Sequence, residues 1–241
     1  MKYFKLKTHY KKILADTISP VSVYLKIRDQ FPNSILLESS DYHGNDNSFS
    51  YICCNPIASI KVEAKVITKT YPDHTVETMS VESDNLTREI DGFTKQFEIN
   101  KNKTFRFINN GMFGFTAYDA VKYFEDIVIS KKEDSIQIPD MYYAVYQNII
   151  AINHFKNEAY IFAHCYDCES NIEAIDHLIK MQSFSSYDFK SKGEISSNLT
   201  DEAFKSNVDL AKKHCNRGDV FQLVLSKKFQ QDFKGDDFNV Y

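Results

Sequence analysis

Two long apolar runs separated by only two residues, "YYAVYQNIIAINHF" (142–155) and "EAYIFAHCY" (158–166), constrain this chain more than any other feature. Their tyrosines and isoleucines favour extended backbone. A connection as short as Lys156-Asn157 forces the second run back antiparallel to the first, because a parallel return needs a crossover of a dozen residues or more. The two runs therefore read as an antiparallel pair of strands.

Elements of both kinds flank that pair. "TISPVSVYLKIRDQF" places Ser19 as N-cap and Pro20 at the first helical position, with Val21, Tyr24, Leu25 and Arg28 at helical spacing. "SILLES" and "SFSYICC" read as strands around the turn-rich "DYHGNDN". "SIKVEAKVITKTYPDHTVETMSVE" alternates polar and apolar residues on both sides of "YPDH", the pattern of a hairpin with one solvated face. A helix is predicted over about 84–98, where Leu86, Ile90, Phe93 and Phe97 form one apolar stripe. "FRFINNGMFGFTAYDAVKYFE" reads as strand through Gly111 and Gly114, and glycines inside a strand mark a bulge or the close approach of another backbone. Helices are predicted near 169–182 and 200–217, separated by a Ser- and Lys-rich loop. The second has Thr200 as N-cap, Phe204, Val208, Ala211 and Cys215 along one face, and Gly218 just past its end. "DVFQLVLSKKFQ" then reads as a strand over Val220 to Phe229.

The fold class expected is α+β, with antiparallel sheets in a layered sandwich and helices on the outside. At 241 residues and 43% hydrophobic side chains there is material for a sizeable core. A net charge of −4 with scattered Lys and Arg offers no basic stripe, so nucleic acid is not an expected partner. No stretch approaches the roughly 20 apolar residues of a membrane span, and "MKYFKLKTHYKKILADTISP" has no signal-peptide pattern, so the expected location is the cytoplasm, without membrane contact. Five cysteines, an odd number, lack the spacing of a secreted disulfide scaffold, and reduced thiols are expected. The one C-x-x-C, in "HCYDCES", has no second ligand pair at zinc spacing and reads as a strand end entering a turn. Asp119 and Glu125 lie six residues apart, poor spacing for one helical face, and read as solvated or capping carboxylates. The histidines lack any H-x-x-x-H pairing.

The apolar run Ile35-Leu36-Leu37 ends abruptly on Glu38, Ser39, Ser40 and Asp41. At the other end, a strand at 220–229 needs partners that the twelve residues after it do not supply, which predicts a fragment with an apolar surface around Val220 to Phe229. "ILLES", "SFSYICCNPIASIKV", "NGMFGFTAYDAVKYFE" and "CNRGDVFQLVLSKKF" together, in this order and spacing, resemble component I of anthranilate synthase. The resemblance runs over essentially the whole chain, but the family's chains are roughly twice as long, so the fold is expected to be incomplete. A domain boundary is expected at 190/191, with 1–190 carrying the inhibition segment and 191–241 opening the chorismate-binding catalytic region.

The resemblance implies a reaction in tryptophan biosynthesis: chorismate and ammonia, supplied by a glutamine amidotransferase subunit in a heterotetramer, give anthranilate and pyruvate with magnesium. The magnesium ligands are expected beyond Tyr241. It also implies that Leu37, Glu38 and Ser39 contribute to the site where tryptophan binds and inhibits. There Glu38 would meet the ligand's ammonium and Ser39 would hydrogen-bond to it, a pairing that compensates the ammonium's desolvation. The reading of the residues alone is a strand that simply emerges into solvent at Glu38. This chain has "NSFSYIC" where the family commonly reads Gly-Arg-Tyr-Ser-Phe-Ile-Gly, so Ser48 replaces the arginine and Cys53 the second glycine. Gln222 stands where related chorismate enzymes that add water carry a lysine general base. An amide is too weak a base for that task, so Gln222 suits ammonia as nucleophile. The chain has no tryptophan, which suits an enzyme made when that amino acid is scarce. Two alternatives stay open: component I of para-aminobenzoate synthase, and a stand-alone amino-acid-binding module.

Overall fold

In the computed structural model, residues 2–38, 48–82, 85–99, 105–129, 138–183, 185 and 187–241 are described. They fall into two units, Met1–Phe184 and Ser185–Tyr241. The elements of the first are β1 (Phe4–Leu14), α1 (Pro20–Ile27), β2 (Ile35–Leu37), β3 (Phe49–Glu63), β4 (Val66–Thr70), β5 (Val76–Ser80), α2 (Leu86–Thr94), β6 (Phe97–Ile99), β7 (Met112–Thr116), β8 (Met141–Asn153), β9 (Glu158–Cys165) and α3 (Ile172–Lys180). A short 3-10 turn at Tyr118–Tyr123 follows β7.

Among the described residues, nine strands form one sheet in the order β5-β4-β3-β8-β9-β1-β6, with β2 added to β3 and β7 added to β8. The apolar runs are its middle: β8 and β9 pair antiparallel from Asn148↔Ala163 to Asn153↔Glu158. Every pairing is antiparallel except β1 with β6, which run parallel from Phe4↔Phe97 to Leu6↔Ile99. The long strand β3 is bulged between Pro56 and Ala58, next to Asn55 at φ 58, and this bulge separates the stretch that carries β2 from the stretch that carries β4.

Burial follows from layers on both faces. Val23 and Ile27 of α1 and Ile172, Ile175 and Ile179 of α3 pack with Ile52, Ile150, Ile152 and Ile161 of the sheet. Phe49, Phe113, Tyr146, Ile149 and Phe162 form a separate aromatic-rich cluster, so successive β8 residues Ile149 and Ile150 feed different clusters. That is why β8 is apolar at consecutive positions rather than at alternate ones. Leu86 and Phe93 of α2 join Phe4, Leu6, Ile60, Val62 and Ile67 in a third cluster.

Helix α1 has the predicted start: the Ser22 amide donates to Ser19 Oγ at 3.1 Å, with Pro20 following. Gly114 marks a close approach, because a Cβ there would overlap the carbonyl oxygen of Tyr142. Two expectations are corrected. The predicted helix over 84–98 ends at Thr94, and Phe97 lies in β6. The Phe4 amide donates to the Gln96 carbonyl at 2.7 Å, so pairing with β1 overrides the helical period, although Phe97 still packs on Phe93 at 5.1 Å between rings. Strand β1 itself is interrupted by lysines and carries no strong strand signal; its first residues alternate buried and exposed, which seats Phe4 and Leu6.

The second correction concerns the second unit, which holds β10 (Phe189–Ser197), α4 (Asp201–Arg217) and β11 (Phe229–Gly235). The residues from 220 to 228 have no strand structure; the strand begins at Phe229 and pairs with β10, which occupies part of the predicted loop. A strand needs a neighbour for its amides, and β10 is engaged only by 229–235. Phe221, Leu223, Val224 and Leu225 are exposed within this unit, as the expected apolar surface requires. Helix α4 has both predicted ends, with the Ala203 amide on Thr200 Oγ1 at 3.2 Å and Gly218 at φ 81.

Candidate functional site

The segment around the acidic strand end is held from both sides. Tyr146 donates its hydroxyl to the Asn33 carbonyl at 3.3 Å, Asn33 turns the chain at φ 61, and Ile35, Leu36 and Leu37 pair with Cys53, Ile52 and Tyr51. Alternation then sends Ile35 to the aromatic cluster and Leu36 to the helix-covered cluster. Leu37 is 39% exposed at the strand end and Glu38 follows it on the surface. A carboxylate left at the surface is not desolvated, so the apolar run can end on an acid. Ser39 lies outside the described residues.

Beside Leu37 the sheet presents aromatic rings. Tyr51 lies 6.1 Å from Phe49 and 5.8 Å from Phe113, and Phe49 stacks on Phe107 at 4.7 Å. Burial pushes the Tyr51 phenol up to about 12, against a backbone hydrogen bond from Ile108 that acts the other way, so this hydroxyl stays protonated at neutral pH. Ser48, at the position of the family's arginine, is buried and its carbonyl accepts the His154 amide at 3.1 Å. Ser50 Oγ meets His154 Nε2 at 2.7 Å. Cys53 is fully buried, which pushes its thiol well above the ordinary range and leaves it a packing residue. Neither replacement offers a positive charge to a ligand.

Gln222 belongs to the other unit, exposed on the irregular segment between α4 and β11. Asp119 and Glu125 are exposed around the 3-10 turn, where the carboxylate that does make strong bonds is Asp140, holding Lys122 Nζ and Tyr123 Oη at 2.6 Å each. Among the described residues no three of His, Cys, Asp or Glu come together as a metal-binding set. No helix of the described residues is long and apolar enough to cross a membrane.

A polar group inside the sheet escaped the reading of the sequence. Gln147, buried in mid-β8, accepts from Asn55 Nδ2 and turns its own amide nitrogen toward Cys165 and Cys168. Its neighbour Asn148 exchanges two hydrogen bonds with Asn171, at 2.7 and 3.0 Å. The signal was present as two adjacent amides interrupting "YYAVYQNIIAIN", since a buried polar side chain must find partners.

Comparison with known proteins agrees with this architecture. Anthranilate synthase component 1 of Lactococcus lactis subsp. lactis is 30% identical over 96% of this chain and 50% of its own length. Aminodeoxychorismate synthase component 1 of Bacillus subtilis is 24% identical over 96% of this chain and 49% of its own length. The crystal structure of anthranilate synthase component I from Streptococcus pneumoniae shares the fold, with a TM-score of 0.52 and 24% identity over 95% of this chain and 51% of that one. The chain thus spans about half the length of the relatives it matches. The family described as chorismate binding enzyme matches residues 33–241, from the turn before β2 to Tyr241, and the chain belongs to that family.

Proposed function

We propose that the chain is the amino-terminal half of an anthranilate synthase component I, which converts chorismate and ammonia to anthranilate and pyruvate. The observation that carries this reading is the family match over 33–241 together with the 30% identical component 1 relative. Ammonia arrives from a glutamine amidotransferase subunit and magnesium serves the reaction, with ligands outside these residues. Gln222 fits this chemistry because an amide does not generate hydroxide from water, whereas ammonia attacks without such help.

Tryptophan inhibits through Leu37, Glu38 and Ser39. The support is the placement of Leu37 opposite Tyr51, whose ring lies against Phe113, with the Glu38 carboxylate on the surface one residue farther along. An aromatic amino acid needs an apolar wall for its ring and a carboxylate for its ammonium, and this strand end supplies both within two residues. Inhibition requires that tryptophan bind one conformational state better than another.

The product of the complete gene, given chorismate, ammonium and magnesium, is expected to yield fluorescent anthranilate and pyruvate. The relative from Bacillus subtilis supports a second reading, aminodeoxychorismate synthesis, in which the amino group is added without loss of pyruvate. That product in place of anthranilate would establish the second reading, and no amination of chorismate would reject both. In the active enzyme Glu38→Ala and Ser39→Ala are each expected to raise the tryptophan inhibition constant about tenfold, with uninhibited turnover unchanged. Calorimetric titration of the 241-residue chain with tryptophan tests the binding-module alternative: micromolar binding favours it, and no heat favours a site completed elsewhere.

A further inference from the structure

The C-x-x-C has no part in the function proposed above. Cys165 is the last residue of β9 and only 3% exposed, whereas Cys168 lies past a bend and is open to solvent. The bend contains Asp167 at φ 49, a left-handed backbone step that turns the chain back on itself. Both sulfurs thereby meet one side-chain amide, with Gln147 Nε2 3.9 Å from Cys165 Sγ and 3.4 Å from Cys168 Sγ. Asn55 donates to Gln147 Oε1 and so keeps the nitrogen end of that amide facing sulfur.

We propose that Cys165 and Cys168 are a redox-active dithiol that exchanges with low-molecular-weight disulfides, Cys168 attacking and Cys165 resolving. The division of labour follows from exposure, because only Cys168 offers its sulfur to a molecule arriving from solvent. The Cys168 thiolate attacks one sulfur of R–S–S–R, a new S–S bond forms, and RS⁻ departs and takes up the proton that Cys168 lost. Cys165 then loses its proton and attacks the Cys168 sulfur of the mixed disulfide, and the second RS⁻ leaves as RSH. One small disulfide is reduced to two thiols, and the two cysteines are oxidised to one internal disulfide.

The surroundings suit both steps. Burial and the neighbouring Cys168 thiol hold Cys165 above the ordinary thiol range, which keeps it protonated and passive until the mixed disulfide forms beside it. The amide of Gln147 and the charge of Lys7 act in the opposite direction and favour the thiolate needed for the second attack. An open cavity of about 730 Å³ in front of the pair is lined by Lys5, Leu6, Lys7, Asp167 and Glu169. Its walls carry both signs of charge, which matches a zwitterionic peptide disulfide, and glutathione disulfide is the probe of that class.

Two other kinds of cysteine in the same chain serve as references. Cys53 and Cys54 are fully buried, and burial pushes the Cys54 thiol up to about 12. Cys215 is exposed on α4, with no cysteine near it in the sequence. Reduced protein is incubated with glutathione disulfide, acid-quenched, and read by intact mass and peptide mapping. The expected result is loss of two hydrogen atoms from the peptide spanning 165–168, reversible with dithiothreitol, and at most a glutathione adduct on Cys215. Cys165→Ser should trap a stable adduct on Cys168, and Cys168→Ser should leave Cys165 unmodified. A lasting adduct on Cys168 in the unaltered protein, or a Cys168 no faster than Cys215, would overturn the proposal.

Discussion

The pairs β8–β9 and β10–β11 are both antiparallel, yet in the first every residue from Ala144 to Asn153 of β8 is buried, and in the second none is. The same division separates the helices. Eight-residue α1 buries Pro20, Val23 and Ile27, whereas seventeen-residue α4, capped at both ends, buries nothing. Hydrogen-bonded pairing and capping thus specify where elements begin and end. A core arises only where apolar residues are presented to layers on both sides of a strand, as Ile149 and Ile150 are.

The sharpest way to break this contrast is to remove an equivalent ring from each pair. Phe162→Ala empties a site packed against Phe105, Phe107 and Tyr160 and is expected to cost about 3–5 kcal/mol in urea unfolding followed by circular dichroism. Phe233→Ala, 48% exposed and stacked on Phe189, is expected to change that transition by about 0.5 kcal/mol or less. Equal losses would show that β10–β11 is as well supported as β8–β9. Gly114→Ala comes next, at about 3 kcal/mol, because the added methyl must displace the Tyr142 backbone. Gly193→Ala in β10 has open space and only its φ of 68 to oppose it, which limits its cost to about 1 kcal/mol.

Electrostatics sharpen the comparison further. Burial tends to raise the Asp176 carboxyl, but hydrogen bonds from Lys180 and Lys11 outweigh it and hold the group below its ordinary value. An acid depressed in the folded state lends stability that is complete above its unfolded pKa of about 4 and disappears as the pH falls through the folded value. Asp176→Asn is therefore expected to cost about 2 kcal/mol at neutral pH and progressively less below about pH 4. A loss that stays constant down to pH 2, about two units below that unfolded value, would assign the effect to packing instead. In the second unit Asp201 is held down by its hydrogen bond to Lys227, but it is an exposed group, and Asp201→Asn is expected to leave the unfolding transition unmoved.

What could be read from the sequence was whatever depends on near neighbours. Ser19 before Pro20, Thr200, Gly218 and the tight antiparallel return from β8 to β9 all act within a turn of themselves, although that turn takes four residues, 154–157, rather than the two expected. Phe97, β1 and β10 were not legible, because each is a strand only by virtue of a partner far away in the chain. The candidate site divides the same way. Strand β2 follows from Ile35-Leu36-Leu37, whereas Gln222 was expected on a strand for which no partner lies at 220–228. The amide of Gln147 passed unnoticed because its meaning depends on Asn55 in β3 and Cys168 past the end of β9, which come from two other parts of the chain.

The smallest effect tests the capping half of the contrast. Thr200 Oγ1 takes the Ala203 amide, and Ser19 Oγ takes the Ser22 amide, so the two helices have chemically matching starts. Removing either acceptor leaves one helical amide to water and costs about 1 kcal/mol locally. In α1 that loss is coupled to Val23 and Ile27 in the core, so Ser19→Ala should lower the cooperative unfolding midpoint. In α4 no buried residue transmits it, so Thr200→Ala should quicken amide hydrogen exchange in the first turn of α4 and leave the global transition in place. A global shift from Thr200→Ala equal to that from Ser19→Ala would mean that the second unit unfolds together with the first, and that exposure is a poor guide to cooperativity in this chain.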